Sequence, residues 1–206
     1  MTVSIMGKTL SLNCVADPKE PWDLEMSPLR TAKKDYDDAI EFLSKSPKAQ
    51  EIIKKIVESA HEFKIMVTEN YMNKYWSPGE LAKIYRTKFD NDASLITWNS
   101  KERGAWFAIT DHQPAEFNVP ASHPSVQNKS TPAPAILLIH EFGHGLQYLA
   151  DKTNYEALRT ASYIQPTGPE VDLRIENENI LKHEAPVCLE LNEQVRWQYW
   201  DNKKPN

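Results

Sequence analysis

Apolar residues recur three and four positions apart over several stretches of the chain, and polar or proline-rich segments separate them. Tyr36, Ile40, Phe42 and Leu43 mark a helix over Leu29–Leu43. The run Ser46-Pro47-Lys48-Ala49-Gln50-Glu51 carries a capping signature and opens a second helix through Ile52, Ile53, Ile56 and Val57. From His61 to Thr68 apolar and polar residues alternate, which predicts a half-buried strand. Ser94–Asn99 predicts another, a candidate edge strand, and Ala105–Ile109 a third. Residues 111–131, rich in Pro, Asn and Ser, read as a loop. Beyond residue 168 the pattern is helical again and ends in Trp197-Gln198-Tyr199-Trp200. Residues 1–28 read as an irregular lead-in, and residues 29–206 as one domain.

The longest helical pattern runs through residues 133–150. Ala135, Leu138, Ile139, Phe142, Leu146 and Leu149 give it a buried face. His140, His144, Gln147 and Tyr148 fall together on the neighbouring face. Ser130 or Thr131 supplies a cap, and Pro132 and Pro134 suit a first turn. Gly143 and Gly145 each cost about 1 kcal/mol relative to Ala inside a helix. Their presence points to close approach of another backbone or of a substrate.

The chemistry sits in His140-Glu141-Phe142-Gly143-His144, an H-E-x-x-H sequence. Residues four apart share a helix face, so both imidazoles reach one metal ion. The spacing predicts zinc, held by His140, His144 and a third protein ligand, with a fourth position open for water. The metal lowers the pKa of that water towards about 7. Glu141 takes its proton as general base and delivers it to the leaving amine. Downstream, Glu170, Asp172, Glu176, Glu178, His183 and Glu184 compete for the third place. Glu176 is favoured, with Glu178 and Glu184 as the main alternatives. Glu176 and Glu184 lie within about 80° of each other on a helix, so one can ligate while the other orients a ligating imidazole. Tyr155 and Tyr163 follow the metal helix, and Tyr163 is the candidate for stabilising the oxyanion. His61, His112 and His123 lack ligand spacing and read as surface or structural.

Length and charge narrow the class. The chain has 206 residues, enough for one domain with a sizeable core. A net charge of −5 with no dense basic patch argues against nucleic acid as a partner. Cys14 and Cys188 lie far apart and read as free thiols. Neither a signal-peptide core nor an apolar run of about 18 residues is visible, so secretion would need a dedicated machine and no membrane span is expected. Nothing demands more than a monomer. The order of elements fits an α+β fold: a compact zincin-like domain with a small sheet, a buried active-site helix and C-terminal helices.

Three features together resemble the NleD-like effector metallopeptidases, gluzincin-type enzymes injected by bacterial secretion systems and also found as toxin domains on Rhs and VgrG proteins. They are the Ile96-Thr97-Trp98-Asn99 strand, the Pro- and Ala-rich lead into His140–His144, and the later Glu-rich helix. The tail, with Glu184, Glu190-Leu191, Glu193, Val195-Arg196 and Tyr199, is similar to the family's ending, while Ala185, Asn192 and Gln194 depart from it. The resemblance implies a zinc endopeptidase made in the bacterial cytoplasm and injected into a host or rival cell. It implies a protein or peptide substrate there, and an adaptor, VgrG-type carrier or immunity protein as partner. Two other readings compete. The same chemistry serves a peptidoglycan amidase, and a non-catalytic binding module could keep the helix as scaffold.

Overall fold

The first two helices form where the apolar spacing places them. Helix α1, Ala32–Leu43, buries Ala32, Tyr36, Ala39 and Leu43. Helix α2, Pro47–Glu58, begins at Ser46, whose Oγ accepts the Ala49 N–H at 2.9 Å. Pro47 stands in the first turn, where a missing N–H costs nothing. Ile52, Ile53, Ile56 and Val57 face the core. The computed structural model describes residues 2–5, 8–14, 31–68, 73–85, 92–101, 117–124, 132–164 and 169–196.

Five strands make one mixed sheet: β1 (Thr2–Ile5), β2 (Lys8–Cys14), β3 (Phe63–Thr68), β4 (Lys74–Trp76) and β5 (Ser94–Asn99), in the order β1-β2-β3-β5-β4. Strand β3 runs parallel to β2 and β5, while β1 and β4 are antiparallel edges. Three expectations change here. The irregular lead-in contains β1 and β2, because Thr9-Leu10-Ser11-Leu12-Asn13 alternates and gives β3 a ladder partner. Strand β3 is buried along all but Lys64, since a parallel strand between two neighbours is covered on both faces. Strand β5 is interior, flanked by β3 and β4, so the edge belongs to the three-residue β4. The strand expected at Ala105–Ile109 lies outside the described residues.

Helix α3, Pro78–Tyr85, follows β4. Helix α4, Pro134–Ala150, crosses β4 and β5, with α1 and α2 packed on it. The Trp98 indole N–H donates to the Pro134 carbonyl at 2.8 Å and pins β5 to the start of α4. The N-cap of α4 is Ala133, which offers no side-chain cap; the expected caps Ser130 and Thr131 lie outside the described residues. Instead Glu193 accepts the Ala133 N–H at 3.1 Å, placing a carboxylate where the helix dipole favours one. Helix α5 is Lys152–Ile164 and α6 is Pro169–Asn179. A π-helical segment, Ile180–Glu184, joins α6 to α7, Ala185–Leu191. No helix among the described residues is long and apolar enough to cross a membrane. Cys188 is a buried free thiol.

Candidate metal centre

Both glycines of α4 answer to crowding by side chains rather than by another backbone or a substrate. A Cβ on Gly143 would lie 1.9 Å from Asn179 Oδ1 and 3.1 Å from His183 Cβ. One on Gly145 would lie 2.8 Å from Phe63 Cε1. The approach at Gly143 brings α6 and the π segment onto the histidine face of α4, and that at Gly145 brings in β3.

On that face three donor atoms converge. Glu176 Oε2 is 3.0 Å from His140 Nε2 and 3.0 Å from His144 Nε2, and the two nitrogens are 3.1 Å apart. All three residues are buried. Tetrahedral zinc with bonds of about 2.0–2.1 Å places its donors about 3.3 Å apart, so the triangle is of the right size and composition for such an ion. The three form a group able to hold a metal.

The far side of each imidazole is held too. His144 Nδ1 lies 2.9 Å from Gln147 Oε1, and the Gln147 amide donates onward to the Ile175 carbonyl at 3.0 Å. His140 Nδ1 lies 2.7 Å from Glu184 Oε2. Arg196 donates to both Glu184 oxygens, Nε to Oε1 at 2.8 Å and Nη2 to Oε2 at 2.6 Å. Arg196 Nη2 also lies 2.9 Å from His140 Nδ1. With N–H on both Nδ1 atoms, facing Gln147 and Glu184, both Nε2 lone pairs would point into the triangle, the tautomers that metal binding requires. Asn179 donates to the His140 carbonyl at 2.9 Å.

A turn of unusual width makes this possible. Pro186 has no N–H and its ring excludes the carbonyl four residues earlier, so the α-helical pattern fails there. The Ala185 N–H bonds instead to the Ile180 carbonyl, five residues back. The wider turn rotates each residue by less than the 100° of an α-helix and swings Glu184 towards the face of Glu176. The two carboxylates thereby meet opposite nitrogens of one imidazole, His140.

Electrostatics follow from burial among opposite charges. Burial and Arg196 oppose a charged His140, but the hydrogen bonds to Glu176 and Glu184 prevail and hold it at about 9 in the metal-free chain. Burial likewise opposes a charged Glu176, yet the two imidazoles bring it well below the ordinary carboxylate range. Burial raises Glu184, but Arg196 and His140 together outweigh it and hold the carboxyl at about 2. Glu141, 5% exposed, has no hydrogen-bond partner among the described residues, and burial raises its pKa while the two imidazoles partly offset the rise.

The chain matches the model of the Peptidase M91 family, described as "Effector protein", over residues 30–178. That span contains His140, Glu141, His144 and Glu176. The chain belongs to this family. No curated protein matches it. No solved structure matches it either. It is therefore a peptidase effector, and the His140, His144 and Glu176 cluster is compatible with a metal in it.

The other candidates fall elsewhere. Glu178 is exposed and pairs with Lys182. Glu170, Asp172 and Tyr163 lie on α6 and α5, with side chains outside the described residues. His183 faces Lys48, Lys55 and Gly143 and is held near 4, chiefly by burial. It lines a cavity of about 580 Å³ with Leu146, Gln147, Tyr155, Leu158 and Ile175, which the triangle does not enter. Tyr155 is buried with its ring 6.3 Å from His144. His61 is structural, 2.7 Å from Ser94 Oγ, which in turn meets the Tyr75 hydroxyl at 2.7 Å. Arg196 is named in the sequence only as part of the family-like tail, with no role at the site, and Arg159 is missed because nothing local marks it.

Proposed function

We propose that the chain is a zinc-dependent endopeptidase of the NleD-like, gluzincin type, delivered into a target cell to cut a protein there. The observation that supports it most directly is the triangle of His140, His144 and Glu176 beside the buried carboxylate of Glu141, which has no hydrogen-bond partner among the described residues. His140 Nε2, His144 Nε2 and Glu176 Oε2 would hold zinc, which as a Lewis acid makes water nucleophilic at neutral pH and polarises a carbonyl.

The remaining work belongs to the chain's own groups. Glu141 accepts a proton from the attacking water as the C–O bond forms at the carbonyl carbon, and returns it to the leaving nitrogen as the C–N bond then breaks. Burial, which raises Glu141 towards neutrality, suits both halves of that transfer. Gln147 and Glu184 hold the two imidazoles in the ligating tautomer. A substrate in extended form would pair with the antiparallel edge strand β4. Tyr163, four residues after Arg159 on α5, is the proposed stabiliser of the carbonyl oxyanion. Residues 29–206, with β1 and β2 completing their sheet, would form the peptidase domain, with an adaptor, a VgrG-type carrier or an immunity protein as partner.

The test is hydrolysis. Zinc-loaded wild type and Glu141→Gln are incubated with eukaryotic cell extract, and newly made N-termini are labelled and identified by mass spectrometry. The proposal expects a small set of new termini with wild type, abolished by a chelator and absent with Glu141→Gln. An extract unchanged by loaded wild type, or cut equally by both proteins, contradicts it.

A further inference from the structure

Glu176 is gripped from both sides. Its Oε2 faces the imidazoles, while its Oε1 lies 3.5 Å from Nη1 of Arg159 on α5. Arg159 is only 7% exposed, and its guanidinium carbon lies 5.9 Å from the Tyr155 ring centre. Its Nε is 3.7 Å from Oε1 of Glu80 on α3. Glu80, 4% exposed, accepts the Ser77 N–H through Oε2 at 3.1 Å and meets Lys74 Nζ through Oε1 at 3.4 Å. Lys74 belongs to edge strand β4. Charges of alternating sign therefore run from β4 through α3 and α5 to α6, ending on the carboxylate of the triangle.

Such an arrangement is poorly explained as a device for stability alone. Buried ion pairs are commonly replaceable by apolar residues without loss of stability. What they supply well is direction: a guanidinium on Oε1 leaves Oε2 as the oxygen free to meet the imidazoles. A carboxylate without that constraint can turn both oxygens to one cation and fill the position that water and substrate need. The charge of Arg159 also reaches Glu141, where it favours the ionised form.

We propose that Arg159 is a positioning residue of the metal centre: anchored by Glu80, it fixes Glu176 as a one-oxygen donor and ties that donor to the strand where substrate would pair. This rests on reading His140, His144 and Glu176 as a zinc site. Substrate pairing along β4 would then be felt at Glu176 through Lys74 and Glu80.

The test uses the full chain as wild type, Arg159→Gln, Arg159→Lys, Glu80→Gln and the Arg159→Gln/Glu80→Gln double variant. Zinc affinity is read by competition with a chelating dye, coordination by the visible absorption of the cobalt(II)-loaded protein, and folding by circular dichroism without metal. Arg159→Gln and Glu80→Gln should each weaken zinc by about ten- to hundredfold, the range for lost outer partners of metal ligands. Arg159→Gln should also lower the cobalt absorption towards that of a five-coordinate ion, and Arg159→Lys should recover part of both losses. The double variant should bind within about twofold of Arg159→Gln, because the two residues act as one unit. A folded Arg159→Gln with unchanged affinity and spectrum overturns the proposal, as do losses that multiply in the double variant. If Arg159→Gln does not fold, Glu80→Gln decides: unaltered zinc affinity there overturns it. A wild type that takes up neither zinc nor cobalt overturns the zinc reading itself, and the proposal with it.

Discussion

Single atoms decide whether this site can assemble. Gly143 has no side chain because Asn179 needs the space, and Asn179 holds the His140 backbone carbonyl. Gly143→Ala gains helix propensity worth about 1 kcal/mol, but it forces the buried Asn179 to move. Overpacking of this kind costs about 1–3 kcal/mol, so the variant should be less stable in chemical denaturation despite its better helix former. Glu184, like Glu176, contributes to the acid limit. Its folded value of about 2 lies below the ordinary 4.5, so its contribution is present above about pH 4.5 and is lost as pH falls towards 2. The melting temperature of the metal-free chain should fall through that window. In Glu184→Gln the fall should be shallower, from a starting stability at pH 7 lower by about 3–5 kcal/mol, because buried Arg196 loses its carboxylate.

Elements decide which of these atoms meet. Replacing Pro186 by Ala restores an N–H that can bond to the Lys182 carbonyl, and the wide turn should relax towards α-helix. Glu184 then rotates away from His140, and zinc affinity should drop by about tenfold or more while helix content is kept. Circular dichroism and a dye competition check both halves. Much at this scale is legible in sequence, and the exceptions have physical causes. Helices α1, α2 and α4 carry enough apolar contacts at helical spacing to identify themselves. Strand β2 alternates only from Thr9 to Cys14, too short a stretch to stand out beside the longer helical patterns. Whether β5 is an edge depends on the pairing of β4, three residues long, and no local pattern records a ladder partner. The wide turn is marked by one proline in a helical run, a sign that equally suits a helix start. His140, Glu141 and His144 are readable because a single helix fixes their spacing. Glu176 could only be ranked among neighbours, since a separate helix brings it in. Arg159 and Arg196 meet the site through tertiary packing alone.

At the scale of the whole molecule, a sheet, a helix lying across it and a returning C-terminal helix converge on one buried cluster. The family to which the chain belongs makes it a peptidase effector, and the cluster is one that could hold a metal ion. Two imidazole nitrogens and a carboxylate oxygen within about 3 Å of one another form a stable arrangement only when a cation, a proton or a metal ion, lies among them. The measurement that tests this most directly is metal content per chain, by elemental analysis, of wild type and Glu176→Ala purified and then reconstituted with zinc at neutral pH. About one zinc per wild-type chain is expected, with a marked loss in Glu176→Ala and the fold retained. A folded wild type that takes up no zinc would contradict it.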